Sequence, residues 1–113
     1  MTLESQIVSV CSPFLGGRFY PDIAPLDAGT PYAVYTRVSG QTIITLDGKV
    51  RANNARVQLA VWSTLRENSV ETMAELENLL VSSLMATPLG SISYEFSPTS
   101  KLYGSRKDFS FWW

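Results

Sequence analysis

The chain has 113 residues, which suits one domain of the usual roughly 100–150 residues with a single hydrophobic core. Formal net charge is -1, histidine is absent and cysteine occurs once. These numbers argue against non-specific binding to duplex nucleic acid and exclude an intramolecular disulfide and zinc sites built from nitrogen and sulfur ligands.

The chain opens on a helical pattern. Thr2 can cap it, Glu4 lies in its first turn, and Leu3, Ile7, Val10, Cys11 and Phe14 recur at helical spacing. Gly16-Gly17 ends it, and Arg18-Phe19-Tyr20 reads as a short strand cut off by Pro21. Residues 21–31 carry three prolines and one glycine and read as an irregular loop. Tyr32 to Ser39 alternates as a strand should. Residues 40–54, with Gly40, Asp47-Gly48, Lys49, Arg51, Asn53 and Asn54, read as a long polar hairpin arm. Ala55 to Trp62 alternates again, with Ala55, Val57, Leu59 and Val61 on one face.

A second helix is expected from Ser69 to Met85. Asn68 and Glu71 have the spacing of a capping box, and Met73, Leu76, Leu80 and Leu84 mark a buried stripe. Pro88-Leu89-Gly90 breaks the chain before a strand carrying Ile92, Tyr94 and Phe96. Residues 97–106 read as a loop. Lys107 to Trp113 reads as the last strand, with Phe109, Phe111 and Trp113 on one face and Trp112 on the other. The expected fold class is α+β: one domain over residues 1–113, with a mostly antiparallel β-sheet and two helices packed on one face.

Chemistry is hard to place on this sequence. Without histidine, the commonest general base near neutral pH is missing. Cys11 has no activating base near it in the sequence and reads as a small apolar helix residue. Asp22 and Asp27 share a loop, but calcium-ligand spacing is absent. Gly16-Gly17 and Gly48-Lys49 match neither a phosphate-binding loop nor a dinucleotide fingerprint. No catalytic residue, cofactor or metal is expected. No apolar run is long enough to span a bilayer, and the N-terminus lacks the basic start of a signal peptide, so a cytoplasmic location is expected.

Charge, by contrast, is segregated. No lysine or arginine falls between Glu67 and Glu95, while Lys49, Arg51 and Arg56 lie on or beside the arm. The plain reading is solvated surface; the functional reading is a subunit whose basic arm meets the acidic side of its neighbour. The candidate assembly interface is therefore Lys49, Val50, Arg51, Asn53, Asn54 and Arg56, on or beside the arm, facing Glu71 and Glu75 of the second helix. Glu77 falls inside that helix's apolar arc, where it either reaches solvent past the rim or pairs with an arginine. Trp112 is a candidate for a second buried surface or a contact.

Gly17-Arg18-Phe19-Tyr20-Pro21-Asp22-Ile23-Ala24-Pro25 and Pro31-Tyr32-Ala33-Val34-Tyr35-Thr36-Arg37-Val38-Ser39-Gly40 resemble the tail completion (tail terminator) proteins of long-tailed bacteriophages and prophages. So do the strand Ala55–Trp62, the helix from Ser69 and the closing Asp108-Phe109-Ser110-Phe111-Trp112-Trp113, while the region 41–54 is the least family-like. The resemblance implies an α+β sandwich in a ring, commonly hexameric, on the head-proximal end of the tail tube. Such a ring stops tube polymerisation and offers a surface for head-tail joining. The implied partners are copies of the chain itself, the major tail tube protein and a neck or head-completion protein, with no membrane and no specific nucleic-acid binding. The implied location is the bacterial cytoplasm during assembly and then the virion tail. Two other classes stay open: another phage neck or head-tail adaptor, and a small binding domain or enzyme that would need a polar pocket.

Overall fold

Helix α1 spans Leu3–Cys11 because Thr2 caps it: the Ser5 N–H donates to Thr2 Oγ1 at 3.1 Å. A 3-10 turn, Pro13–Leu15, follows, and Gly16 and Gly17 at φ 62° and 88° take the left-handed conformations that turn the chain back. This computed structural model describes residues 2–44, 46–48 and 50–112, and of residues 40–44 and 50–52 the backbone alone. The remaining elements are β1 (Phe19–Pro21), β2 (Tyr32–Ile44), β3 (Val50–Ser63), α2 (Arg66–Leu84), β4 (Thr87–Ser97) and β5 (Leu102–Trp112). The strands form one sheet in the order β1-β2-β3-β5-β4, with β1 parallel to β2 and every other pair antiparallel. The fold is α+β, as the sequence implies.

Register decides what is buried. Ala33 pairs with Val61, Tyr35 with Leu59, and Val57 with Phe109, which puts these residues on one face. Ile7 and Cys11 of α1 and Met73, Leu76 and Leu80 of α2 close over that face in one core. Each large side chain sealed there contributes about 1.5–3 kcal/mol from removal of apolar surface. Phe14, in phase with the apolar stripe of the first helix, is exposed, and Leu15 enters the core instead because the 3-10 turn changes the phase.

Several boundaries differ from the sequence reading. Helix α2 starts at Arg66, with Leu65 at its N-cap and no side-chain cap. Asn68 is therefore inside the helix: it donates to Ser63 Oγ at 3.0 Å and accepts from Thr72 Oγ1 at 3.4 Å, so no capping box forms. The helix ends at Leu84, and Met85 adopts the left-handed conformation at φ 55°. β4 runs through Pro88-Leu89-Gly90, because an edge strand tolerates proline and the register shift between Leu89 and Ser93 absorbs the extra residues. β5 begins at Leu102, within the stretch read as a loop.

Two packing details hold the strands and α2 together. Ser69 Oγ lies 2.9 Å from the Val61 carbonyl, to which it donates, and 2.8 Å from Ser105 Oγ, so a buried hydroxyl pair pins the start of α2 to β3 and β5. On the opposite face Trp62 lies flat over its cross-strand partner Gly104. A Cβ at Gly104 would come within 2.8 Å of the Trp62 ring, so the glycine makes room for the indole.

Candidate assembly surfaces

The arm is the far end of the β2–β3 ladder. Gly40 pairs with Ala55, Gln41 with Asn54, Thr42 with Asn53 and Ile43 with Ala52. Among the described residues β5 accompanies β3 as far as the Asn54–Trp112 pair, and β1 accompanies β2 along Ala33–Tyr35. Past those points β2 and β3 continue as a two-stranded ribbon, in a molecule whose extents are 53 × 25 × 24 Å.

The residues expected at an interface fall into three groups. Lys49 lies outside the described residues. Val50 and Arg51 open β3, their side chains outside the described set, and half-buried Asn53 pairs with Thr42. Asn54 and Arg56 are engaged within the subunit. Asn54 donates to Ser110 Oγ at 2.7 Å and to the Phe111 carbonyl at 3.0 Å. Arg56 Nε donates to Asp108 Oδ2 at 2.7 Å, a cross-strand pair on the open face. Glu71 and Glu75 stand exposed on α2 and take part in no ion pair among the described residues.

Glu77 does have a partner, and it is a lysine. Lys107 Nζ lies 2.6 Å from Glu77 Oε1, with side-chain exposures of 13% and 26%, so the pair ties α2 to β5 inside the fold. Cys11 is fully buried, and burial pushes its thiol up to about 12. Among the described residues no three histidine, cysteine, aspartate or glutamate side chains gather as a metal site, and no helix is long and apolar enough to cross a membrane.

The sheet face away from the helices is open. The loop 21–31 rises beside it, closed by Arg18 Nε donating to the Pro31 carbonyl at 2.9 Å. Between loop and sheet lies a shallow depression of about 370 Å³ lined by Asp22, Tyr32, Thr36, Gln58, Trp62 and Arg106. At the end away from the ribbon, Leu65, Tyr94 and Phe96 are exposed, Phe96 packs on Tyr103, and Arg66 sits 5.2 Å over the Tyr103 ring. The Ser69–Ser105 seam and this aromatic end escape a sequence reading, since each needs strands brought together by sheet order.

These features define an α+β subunit organised around surfaces: a projecting ribbon, an acidic helix face and an open sheet face. The sequence matches the family of the tail completion protein gp17 over residues 8–110, and the chain belongs to that family. It is a structural protein of a phage tail. Its fold is similar to that of a chain in the virion of a native gene transfer agent particle, with a TM-score of 0.65 at 10% identity over 96% of this chain and 92% of that one. No curated protein matches the sequence.

Proposed function

We propose that the protein acts without catalysis, as a ring on the head-proximal end of the tail tube that stops tube growth and presents the surface to which the head joins. Its partners in this role are its own copies, the major tail tube protein and a neck protein. Family membership supports the setting, and the β2–β3 ribbon is the observation that carries the reading. A two-stranded ribbon is marginally stable by itself in water, so a subunit that projects one is built to be completed by neighbours. In a rotationally symmetric ring each subunit uses two different patches, and the ribbon at one end of an elongated body supplies one of them.

Charge narrows the contact. With Arg56 held by Asp108, the basic contribution of the arm to an interface reduces to Lys49 and Arg51, and Glu71 and Glu75 remain the exposed acidic counterpart. Each exposed pair contributes at most about 1 kcal/mol, so the effect lies in orientation repeated around the ring.

The test is reconstitution with tube protein that polymerises alone. Added before elongation, the wild-type protein should shorten tubes and bind one end of each. The double variant Lys49→Glu/Arg51→Glu should stay folded but leave tubes overlong, and adding Glu71→Lys/Glu75→Lys should restore part of the effect. Unchanged tube lengths with wild-type protein would sink the capping role. A fully active double variant would sink only the charge pairing.

A further inference from the structure

Several stretches of strand edge have no neighbouring strand among the described residues, and two of them lie at opposite ends of the molecule. The first is the outer side of β2 along Gly40–Ile44, beyond the reach of β1. The second is the outer side of β4 along Ser93–Ser97, which pairs inward with β5 and forms the sheet margin. Ser93–Ser97 lies level with residues 60–63 of β3, through β5, while the ribbon lies level with residues 50–54. About ten residues of strand, on the order of 33 Å, separate the two.

The two halves of β4 differ in how they treat a passing strand. The half nearer the ribbon is blunted: it holds Pro88, Gly90 at φ 69°, and the register shift between Leu89 and Ser93. Natural sheets use such devices to refuse edge-to-edge pairing. Ser93–Ser97 has none of them. It is regular, it holds no proline, glycine or lysine, and its single charge, Glu95, is already paired with Arg106. Tyr94 and Phe96 lie exposed along it. An open edge of this kind is a template for an added strand.

Resting on the ring reading above, we infer that the ribbon of one copy adds its β2 edge, Gly40–Ile44, to the Ser93–Ser97 edge of β4 in the next copy. The occupant is a second copy because each copy carries these two edges, each five residues long and therefore matched in length, at opposite ends of a body 53 Å in length. The contact is head-to-tail, so it consumes one of each of these two edges per interface and leaves neither of the two unmatched when the ring closes. The marginal two-stranded ribbon gains a third strand, and the one unblunted stretch of β4 gains its neighbour.

The experiment mixes two single-substitution proteins, Thr42→Cys in the ribbon and either Ser93→Cys or Ser97→Cys in β4, under mild oxidation during ring and tail assembly. The natural Cys11 does not compete, being sealed in the core. The expected product is a disulfide between a ribbon variant and a β4 variant, well in excess of either homodimer, together with slower amide hydrogen exchange over 40–44 and 93–97 in assembled rings. Rings that form and stop tubes but give no such cross-link, or give mainly ribbon-to-ribbon or β4-to-β4 dimers, overturn the edge pairing and leave the capping role standing. Wild-type protein that neither forms rings nor limits tubes removes the capping role, and this interface with it.

Discussion

β5 passes through two environments within four residues. Phe109 is 0% exposed in the core on the helix-covered face, while Trp112 is 52% exposed on the other face. The same contrast runs across the sheet. One face is closed by α1 and α2 over Ala33, Tyr35, Val57, Leu59 and Val61, and its polar groups are matched inside the subunit by the Ser69–Ser105 pair and the Glu77–Lys107 bridge. The other carries Thr36, Gln58, Trp62 and Arg106 around an open depression. The covered face makes the fold, and what remains exposed is what neighbouring proteins can meet. A structural tail protein has to separate the two, since residues spent on the core are lost to assembly.

The largest expected effect breaks this contrast directly. Phe109→Ala removes a fully buried ring, and such truncations cost about 3–5 kcal/mol through lost transfer energy and the cavity left behind. Trp112→Ala, on the same strand, should change stability by about 1 kcal/mol or less. Urea melts of the two variants check this. Equal losses would mean that the open face is as much a part of the core as the covered one.

The strands also show what a sequence can reveal. Ala55–Trp62 was legible because its apolar residues alternate and it lies at the centre of the sheet, where one face is always buried. The start of β5 was not. Gly104 looks like a loop residue until Trp62 is placed over it, and only the cross-strand register does that. Pro88 and Gly90 looked like a break because sequence does not reveal that β4 is an edge. The capping-box spacing of Asn68 and Glu71 was a real pattern in the wrong place, since Asn68 is used by Ser63. Of the candidate interface, the arm was legible as polar and hairpin-like. The engagement of Arg56 by Asp108 was not, because it joins residues far apart in the chain.

A second expectation concerns the covered face alone. The Cys11 thiol, pushed up to about 12 by burial, has a folded value above its ordinary, unfolded one of 9.0. The folded chain therefore holds a proton that the unfolded chain releases between those values. This stabilising contribution is complete below the unfolded value and is lost as pH rises toward the folded one, at about 1.4 kcal/mol per pH unit. Because tyrosines and lysines titrate in the same window, the measurement is a difference. Wild type minus Cys11→Ala should show declining relative stability from about pH 9 upward and a flat difference below it. A flat difference across the whole range would place the thiol in contact with water and weaken the seal of α1 on the sheet.

The smallest effect is the most informative about assembly. Arg56 and Asp108 form a cross-strand pair on the open face, with side-chain exposures of 51% and 17%. Water and salt screen such a pair, so a double-mutant cycle with Arg56→Ala and Asp108→Ala should give a coupling of about 0.2–1 kcal/mol, falling as ionic strength rises. Its value lies in what it says about Arg56. A guanidinium whose Nε already donates to Asp108 has less to offer a neighbouring subunit than the charges farther along the ribbon. Arg56→Ala should therefore leave tube capping close to wild type, whereas the Lys49/Arg51 reversal impairs it. If Arg56→Ala proves as damaging to capping as that reversal while costing the subunit almost nothing in stability, the open face next to β5 belongs to the interface, and the division between fold-making and partner-meeting residues runs through the sheet at Arg56 instead of beyond Asn54.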